Sequence, residues 1–233
     1  MDYKAPVEAY TGVVREVTIG KGNKSLKIGG ENTLPLHFFD QGLNPNRVKF
    51  ALEVLDMKPE DWPEHAVEPY RDVIPDPVSW AKKCQSFGVD AVSLFLVSTD
   101  PAVKNAPAGK AAALTKEVAE AINVPLIVYG SGDDKKDVEV LSKVAEVCDG
   151  MNLLIGPVLK ENYEAVGKAI LDHGHTAIAQ SPLDINLLKE LNVKLSKIFP
   201  PDRIVIDPLS SALGYGMEYS FSLIERVKQI GVI

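Results

Sequence analysis

From residue 90 onward the chain alternates short apolar runs with amphipathic helical periods, and this alternation limits the possible folds more than any other feature. Strand-like runs at 90–97, 125–129, 151–155, 176–179 and 203–206 are followed by helical patterns at 108–122, 136–147, 161–171, 184–197 and 217–230. The helical windows carry apolar stripes, such as Leu114, Val118 and Ile122, or Leu223, Val227 and Ile230. An earlier unit reads as a strand at 34–40 and a helix at 46–55, with Val48, Leu52 and Leu55 at i, i+4 and i+7. Strands alternating with helices imply right-handed βαβ units and a parallel sheet. No G-x-G-x-x-G follows the first strand, and the strands are short and evenly spaced, which favours a (β/α)8 TIM barrel over a doubly wound sheet. Six βα units can be read, and Gly231, Val232 and Ile233 resemble the start of another strand. A complete barrel needs eight strands in about 250 residues. The expectation is a barrel truncated after the sixth βα unit, or else an open sheet.

Ahead of these units, runs at 13–19 and 25–28 flank the glycine-containing loop 20–24 and read as a β-hairpin. The chain therefore divides into a hairpin cap at 1–33 and a barrel at 34–233. Residues 57–77 hold five prolines together with Trp62 and Tyr70, so this long connection is expected to be an ordered excursion. Asp76 followed by Pro77 reads as a helix start, and Trp80, Cys84 and Phe87 are expected to face the core from that helix.

Net charge of −7 and few clustered cations argue against a non-specific nucleic-acid binder. No apolar run approaches the roughly 18 residues of a membrane span, and the first residues lack a signal-peptide pattern. A cytoplasmic location without membrane contact is the default. Cys84 and Cys148 are isolated and lie in helical patterns, so they read as buried small hydrophobes. Two cysteines cannot supply the four thiolates of an iron–sulfur cluster.

In a barrel the ligand site lies at the carboxyl ends of the strands. Those ends hold Gln41, then Ser98 and Thr99, then Gly130, Ser131 and Gly132, then Gly156, then Gln180 and Ser181, and finally Leu209, Ser210, Ser211 and Gly214. Neutral hydrogen-bonding and small residues dominate, with no Lys or Arg in these short stretches. Such a face suits a bulky ligand bearing amides better than a phosphosugar, whose phosphate usually recruits amides plus a cation. Asp40, Asp100 and Asp207 are either acid/base groups or helix caps and Asx turns, which use the same residue type. Ser131 between two glycines is either an anion nest or a plain turn. The four histidines form no His-Glu-x-x-His, and neither a nucleophile elbow nor a Walker loop is present.

Four segments together resemble one family: LPLHFFDQ at 34–41, the proline-rich excursion through DWP at 61–63, VYGSG at 128–132, and IDPLSSALGYGMEY at 206–219. The resemblance, which runs from about Val7 to the end, is to the small subunit of the corrinoid iron–sulfur protein, the delta subunit of the acetyl-CoA decarbonylase/synthase complex. It implies a (β/α)8 barrel paired with a large subunit that carries a [4Fe–4S] cluster, with a corrinoid (cobamide) at the interface. It further implies that a methyl group passes from a methyltetrahydrofolate or tetrahydropterin methyltransferase, through cobalt, to acetyl-CoA synthase/CO dehydrogenase. This chain would bind and shield the cofactor, with chemistry left to the metal. The strand-end residues named above, from Gln41 to Gly214, would then be cofactor-facing, and Asp207 would fix its loop. Two alternatives stay open: a pterin-binding methyltransferase barrel, and a structural barrel without cofactor.

Overall fold

In the computed structural model, which describes residues 14–31 and 45–230, six strands stand side by side in the order in which they occur in the chain. They are β3 (Ala51–Leu55), β4 (Ala91–Phe95), β5 (Leu126–Tyr129), β6 (Leu154–Val158), β7 (Thr176–Gln180) and β8 (Ile204–Asp207), and every neighbouring pair is parallel. Helices bridge successive strands: α1 (Glu64–Val67) and α2 (Pro77–Ser86), then α3 (Ala108–Ala121), α4 (Asp134–Val147), α5 (Tyr163–Asp172) and α6 (Ile185–Leu195), with α7 (Met217–Ile230) following β8. Among the described residues the strand order has no reversal, which a doubly wound sheet requires at its switch point. An α/β architecture with a parallel six-stranded sheet is therefore what the alternation encoded.

Alternation along each strand sorts side chains onto two faces. Val92, Leu94, Val128, Ile155, Ala177 and Ala179 are buried against Trp80, Ala112, Val140, Val144, Val166 and Leu191 of the helices. Burying each larger apolar side chain of this kind stabilises the fold by about 1.5–3 kcal/mol. The opposite face carries Ile127, Tyr129, Leu154, Ile178 and Val205, and it packs against Val17 and Ile19. Those two residues belong to β1 (Glu16–Ile19), which pairs antiparallel with β2 (Leu26–Gly29), so the hairpin forms as expected. Asn152 pins it: its Nδ2 donates to the Thr18 and Gly20 carbonyls at 2.9 and 3.0 Å, and its own carbonyl accepts from the Gly20 amide at 2.7 Å.

Helix starts follow local chemistry. The Asp76 carboxylate accepts from the Ser79 amide at 3.0 Å with Pro77 at the first position, and Asp133 and Asp184 cap α4 and α6 in the same way. The excursion before α2 is ordered. It contains α1 and a 3-10 turn, and the rings of Trp62 and Tyr70 lie 5.7 and 5.6 Å from that of Trp80.

Three expectations need correction. Residues 46–55 are not a helix: residues 47–50 have no regular structure, and Ala51–Leu55 is a strand in register with β4. The i, i+4, i+7 apolar spacing there was accidental, and strand pairing with Ala91–Phe95 outweighs it. The strand expected at 151–155 begins and ends three residues later, because Gly156 and Pro157 lie inside β6 rather than terminating it. Phe87 is 54% exposed and only edges against Tyr70, whereas Trp80 and Cys84 are fully buried. The strand expected at 34–40, with Asp40 and Gln41, lies outside the described residues, as does the seventh strand beginning at Gly231.

Candidate functional site at the strand ends

The face of the sheet that packs against the hairpin, free of helices among the described residues, lines an open cleft of about 690 Å³. Ile19, Leu26 and Ile28 of the hairpin bound it at one end, and Tyr129 and Asp207, at the carboxyl ends of β5 and β8, bound it at the other. Phe95 and Tyr129 stack in this cleft with centroids 4.6 Å apart and planes 6° from parallel. They meet because Phe95 and Tyr129 are register partners on adjacent strands, pointing to the same face.

Asp207 is the polar centre of the rim. Its Oδ2 accepts from the Tyr129 hydroxyl at 3.1 Å and from Gln180 Nε2 at 2.9 Å, and its Oδ1 accepts from the Leu209 amide at 3.0 Å. Burial, with the Asp207 carboxylate beside it, pushes the Tyr129 phenol well above its ordinary range, so it stays a donor. Leu209 adopts a left-handed φ of 52°, and Gly214 follows at 76°. The segment between them displays Leu209 and Leu213, 44% and 85% exposed.

The remaining strand ends are closed by the chain's own hydrogen bonds. Ser98 donates from its amide at 2.9 Å and its hydroxyl at 2.5 Å to Asp56, whose acidity is weakened by burial and partly restored by those donors. Thr99 is fully buried with its hydroxyl on the Leu96 carbonyl. The amides of Ser131 and Gly132 do form a nest, but the Asp137 carboxylate already fills it at 2.8 and 2.9 Å. Asp137 is 1% exposed, and a side chain at Gly130 would collide with it. Burial pushes its carboxyl upward in pKa, against the pull of those amides. Gly156 sits within β6, where an added Cβ would come 2.5 Å from Ile178 Cβ. Ser181 is buried with its amide on the Asp207 carbonyl at 3.1 Å. Asp100 accepts from the Ala102 amide at 2.7 Å, an Asx turn.

Gly156 lies inside β6 and so is not at a strand end. The other expected residues within the described chain lie at or just after strand ends, with Gln180 joined to the Asp207 hub and Leu209, Ser210, Ser211 and Gly214 on its attached loop. Sequence reasoning missed Tyr129, Asp56 and Asp137. Tyr129 had a signal, a polar aromatic ending an apolar strand. Asp56 had none once 46–55 was read as helical. Among the described residues no group of three or more His, Cys, Asp or Glu could hold a metal ion, and no helix is long and apolar enough to cross a membrane.

Against known proteins, residues 16–233 match the family described as the CO dehydrogenase/acetyl-CoA synthase delta subunit. The chain belongs to this family. Acetyl-CoA decarbonylase/synthase complex subunit delta 1 of Methanosarcina thermophila is 38% identical over 235 residues, covering 96% of this chain and 53% of the relative. The delta subunit of Methanocaldococcus jannaschii is 36% identical over 241 residues, covering 100% of this chain and 59% of the relative. That of Archaeoglobus fulgidus is 37% identical over 236 residues, covering 97% and 52%. The chain spans about half the length of these delta-subunit relatives.

Proposed function

We propose that this chain is the corrinoid-binding small subunit of a methyl-carrying corrinoid iron–sulfur protein in an acetyl-CoA decarbonylase/synthase complex, built as part of a (β/α)8 barrel. The observation that carries the reading is that four carboxylates at or beside the strand ends are held by the chain's own donors. Asp56, Asp100, Asp137 and Asp207 each accept hydrogen bonds from the chain itself. A rim so arranged positions a ligand rather than moving its protons, which favours a subunit whose bound group supplies the reactivity.

Curvature supports the barrel. Strands three places apart in a flat sheet stand about 14 Å apart, and their side chains project roughly perpendicular to it. Tyr129 on β5 nonetheless reaches Asp207 on β8 at 3.1 Å, so the sheet is strongly curled toward the face that packs against the hairpin.

The rim fits a corrin. That macrocycle has a broad apolar face and an edge of amide side chains. Leu209 and Leu213 offer exposed apolar contact, and the neighbouring Ser210 and Ser211 hydroxyls suit amide groups without adding charge. When bound, the cobamide supplies a cobalt centre able to accept and donate a methyl group. In this proposal the chain's residues orient the ring and screen it from water. The [4Fe–4S] cluster belongs to a large partner subunit, since this chain has two cysteines and both are buried. A methyltetrahydrofolate or tetrahydropterin methyltransferase and acetyl-CoA synthase/CO dehydrogenase are the exchange partners, in the cytoplasm.

The test is co-purification with and without the large subunit, followed by the visible spectrum. Corrinoid absorbance with the pair supports the proposal, and its absence from the pair refutes it. Methyltetrahydrofolate bound by the lone chain would favour a pterin-binding enzyme. Substituting Ser210 and Ser211 together should weaken corrinoid retention by the pair.

A further inference from the structure

We propose that Asp207 is a positioning residue: its carboxylate, held by Tyr129 and Gln180, clamps the Leu209 amide and thereby presets residues 209–214 for the ligand they receive. The inference rests on the reading of this loop as the cofactor-facing surface.

Three donors from separate parts of the chain converge on this one carboxylate. Tyr129 comes from β5, Gln180 from β7, and the Leu209 amide from the loop itself. The main chain adds a fourth tie, the Ser181 amide on the Asp207 carbonyl at 3.1 Å. The carboxylate therefore cannot turn without breaking contacts to two other strands. Tyr129 is itself oriented by its stack on Phe95. Its register partner on β6 is Gly156, which contributes no side chain of its own beside the phenol.

What the clamp holds is a conformation that leucine disfavours. Leu209 lies at a φ of 52°, where an L side chain meets its own carbonyl. Released from Asp207, the loop would relax toward ordinary backbone angles. Held, it keeps Leu209 and Leu213 in solvent at a fixed place on the rim. Rigid display of exposed apolar groups, supported from beneath by a locked polar shell, is how a binding surface is organised in advance.

Hydrogen exchange on the full chain, without cofactor, reads the clamp directly. Asp207→Ala should speed exchange of the amides in 209–214 about tenfold, and Tyr129→Phe a few-fold. Asp207→Asn should stay near wild type, because its amide oxygen still accepts from Leu209. In a second arm, each variant is combined with the large subunit and hydroxocobalamin, and retention is followed by visible absorbance through gel filtration. Retention should fall about tenfold for Asp207→Ala, less for Tyr129→Phe, and return with Asp207→Asn. Unchanged exchange in Asp207→Ala overturns the clamp, and faster exchange with unchanged retention overturns the positioning role. If Asp207→Ala does not fold, Tyr129→Phe carries the same two readouts. A wild-type pair that never retains corrinoid overturns the cofactor reading instead, and the exchange arm, run without cofactor, distinguishes that failure from failure of the clamp.

Discussion

The Tyr129 hydroxyl donates to Asp207 Oδ2 at 3.1 Å, joining the ends of two strands that lie three places apart in the sheet. A hydrogen bond to an ionised group contributes about 1.5–3 kcal/mol. Tyr129→Phe should therefore lower stability by about 1–2 kcal/mol, since Gln180 and Leu209 still satisfy the carboxylate. Urea unfolding followed by circular dichroism measures it. A midpoint shift with an unchanged slope is expected.

Glycine positions separate sharply by what surrounds them. Gly156→Ala would place a methyl 2.5 Å from Ile178 Cβ in the middle of β6, so a strand must move. The expected loss is about 2–4 kcal/mol. Gly109, in the first turn of α3, has open space around its Cβ position. Gly109→Ala should raise stability by about 0.5–1 kcal/mol. Thermal melts of the two variants should move in opposite directions.

His175 makes the fold acid-sensitive. Its Nδ1 accepts from the Leu153 amide at 3.0 Å, so Nε2 carries the proton and donates to the Ala145 carbonyl at 3.0 Å. Burial pushes its pKa down to about 4. An unfolded histidine titrates near 6.5. Between these values the unfolded chain holds a proton that the folded chain does not, so stability falls as pH drops from about 6.5 to about 4. This one residue should account for a loss on the order of 3 kcal/mol across that window. Denaturation midpoints measured from pH 7 to pH 4 check it, with a His175→Gln variant, less stable at pH 7, showing a flatter dependence.

Neither thiol should react in the native state. Burial pushes Cys84 up to about 11 and Cys148 up to about 12, and both side chains are inaccessible. A disulfide reagent at pH 8 should titrate no thiol until denaturant is added, then two.

The fold was legible wherever one physical signal dominated. Val118 and Ile122, or Leu188, Leu191 and Leu195, mark buried helix faces by spacing alone, and they are buried. Residues 46–55 were misread because a short apolar run satisfies helical and strand spacing alike, and pairing with β4 settles the matter. The β6 limits were misread because glycine and proline ordinarily end strands. There the crowding of Ile178 makes glycine a packing requirement. At the rim, residue types were readable but their partners were not. Ser98 and Ser131 look like free donors in sequence, and only the folded chain reveals Asp56 and Asp137 bound to them.

The hairpin's attachment through Asn152 has a consequence for synthesis. Residues 16–29 are synthesised before their anchor, since the side chain that holds Thr18 lies 134 residues later. Until β6 and β7 exist, Val17 and Ile19 have no Leu154 or Ile178 to pack against. A nascent chain therefore carries an apolar two-stranded ribbon without a docking surface until those strands have been made. Folding of this segment is necessarily late, and its yield in the cell depends on whatever shields that ribbon in the interval.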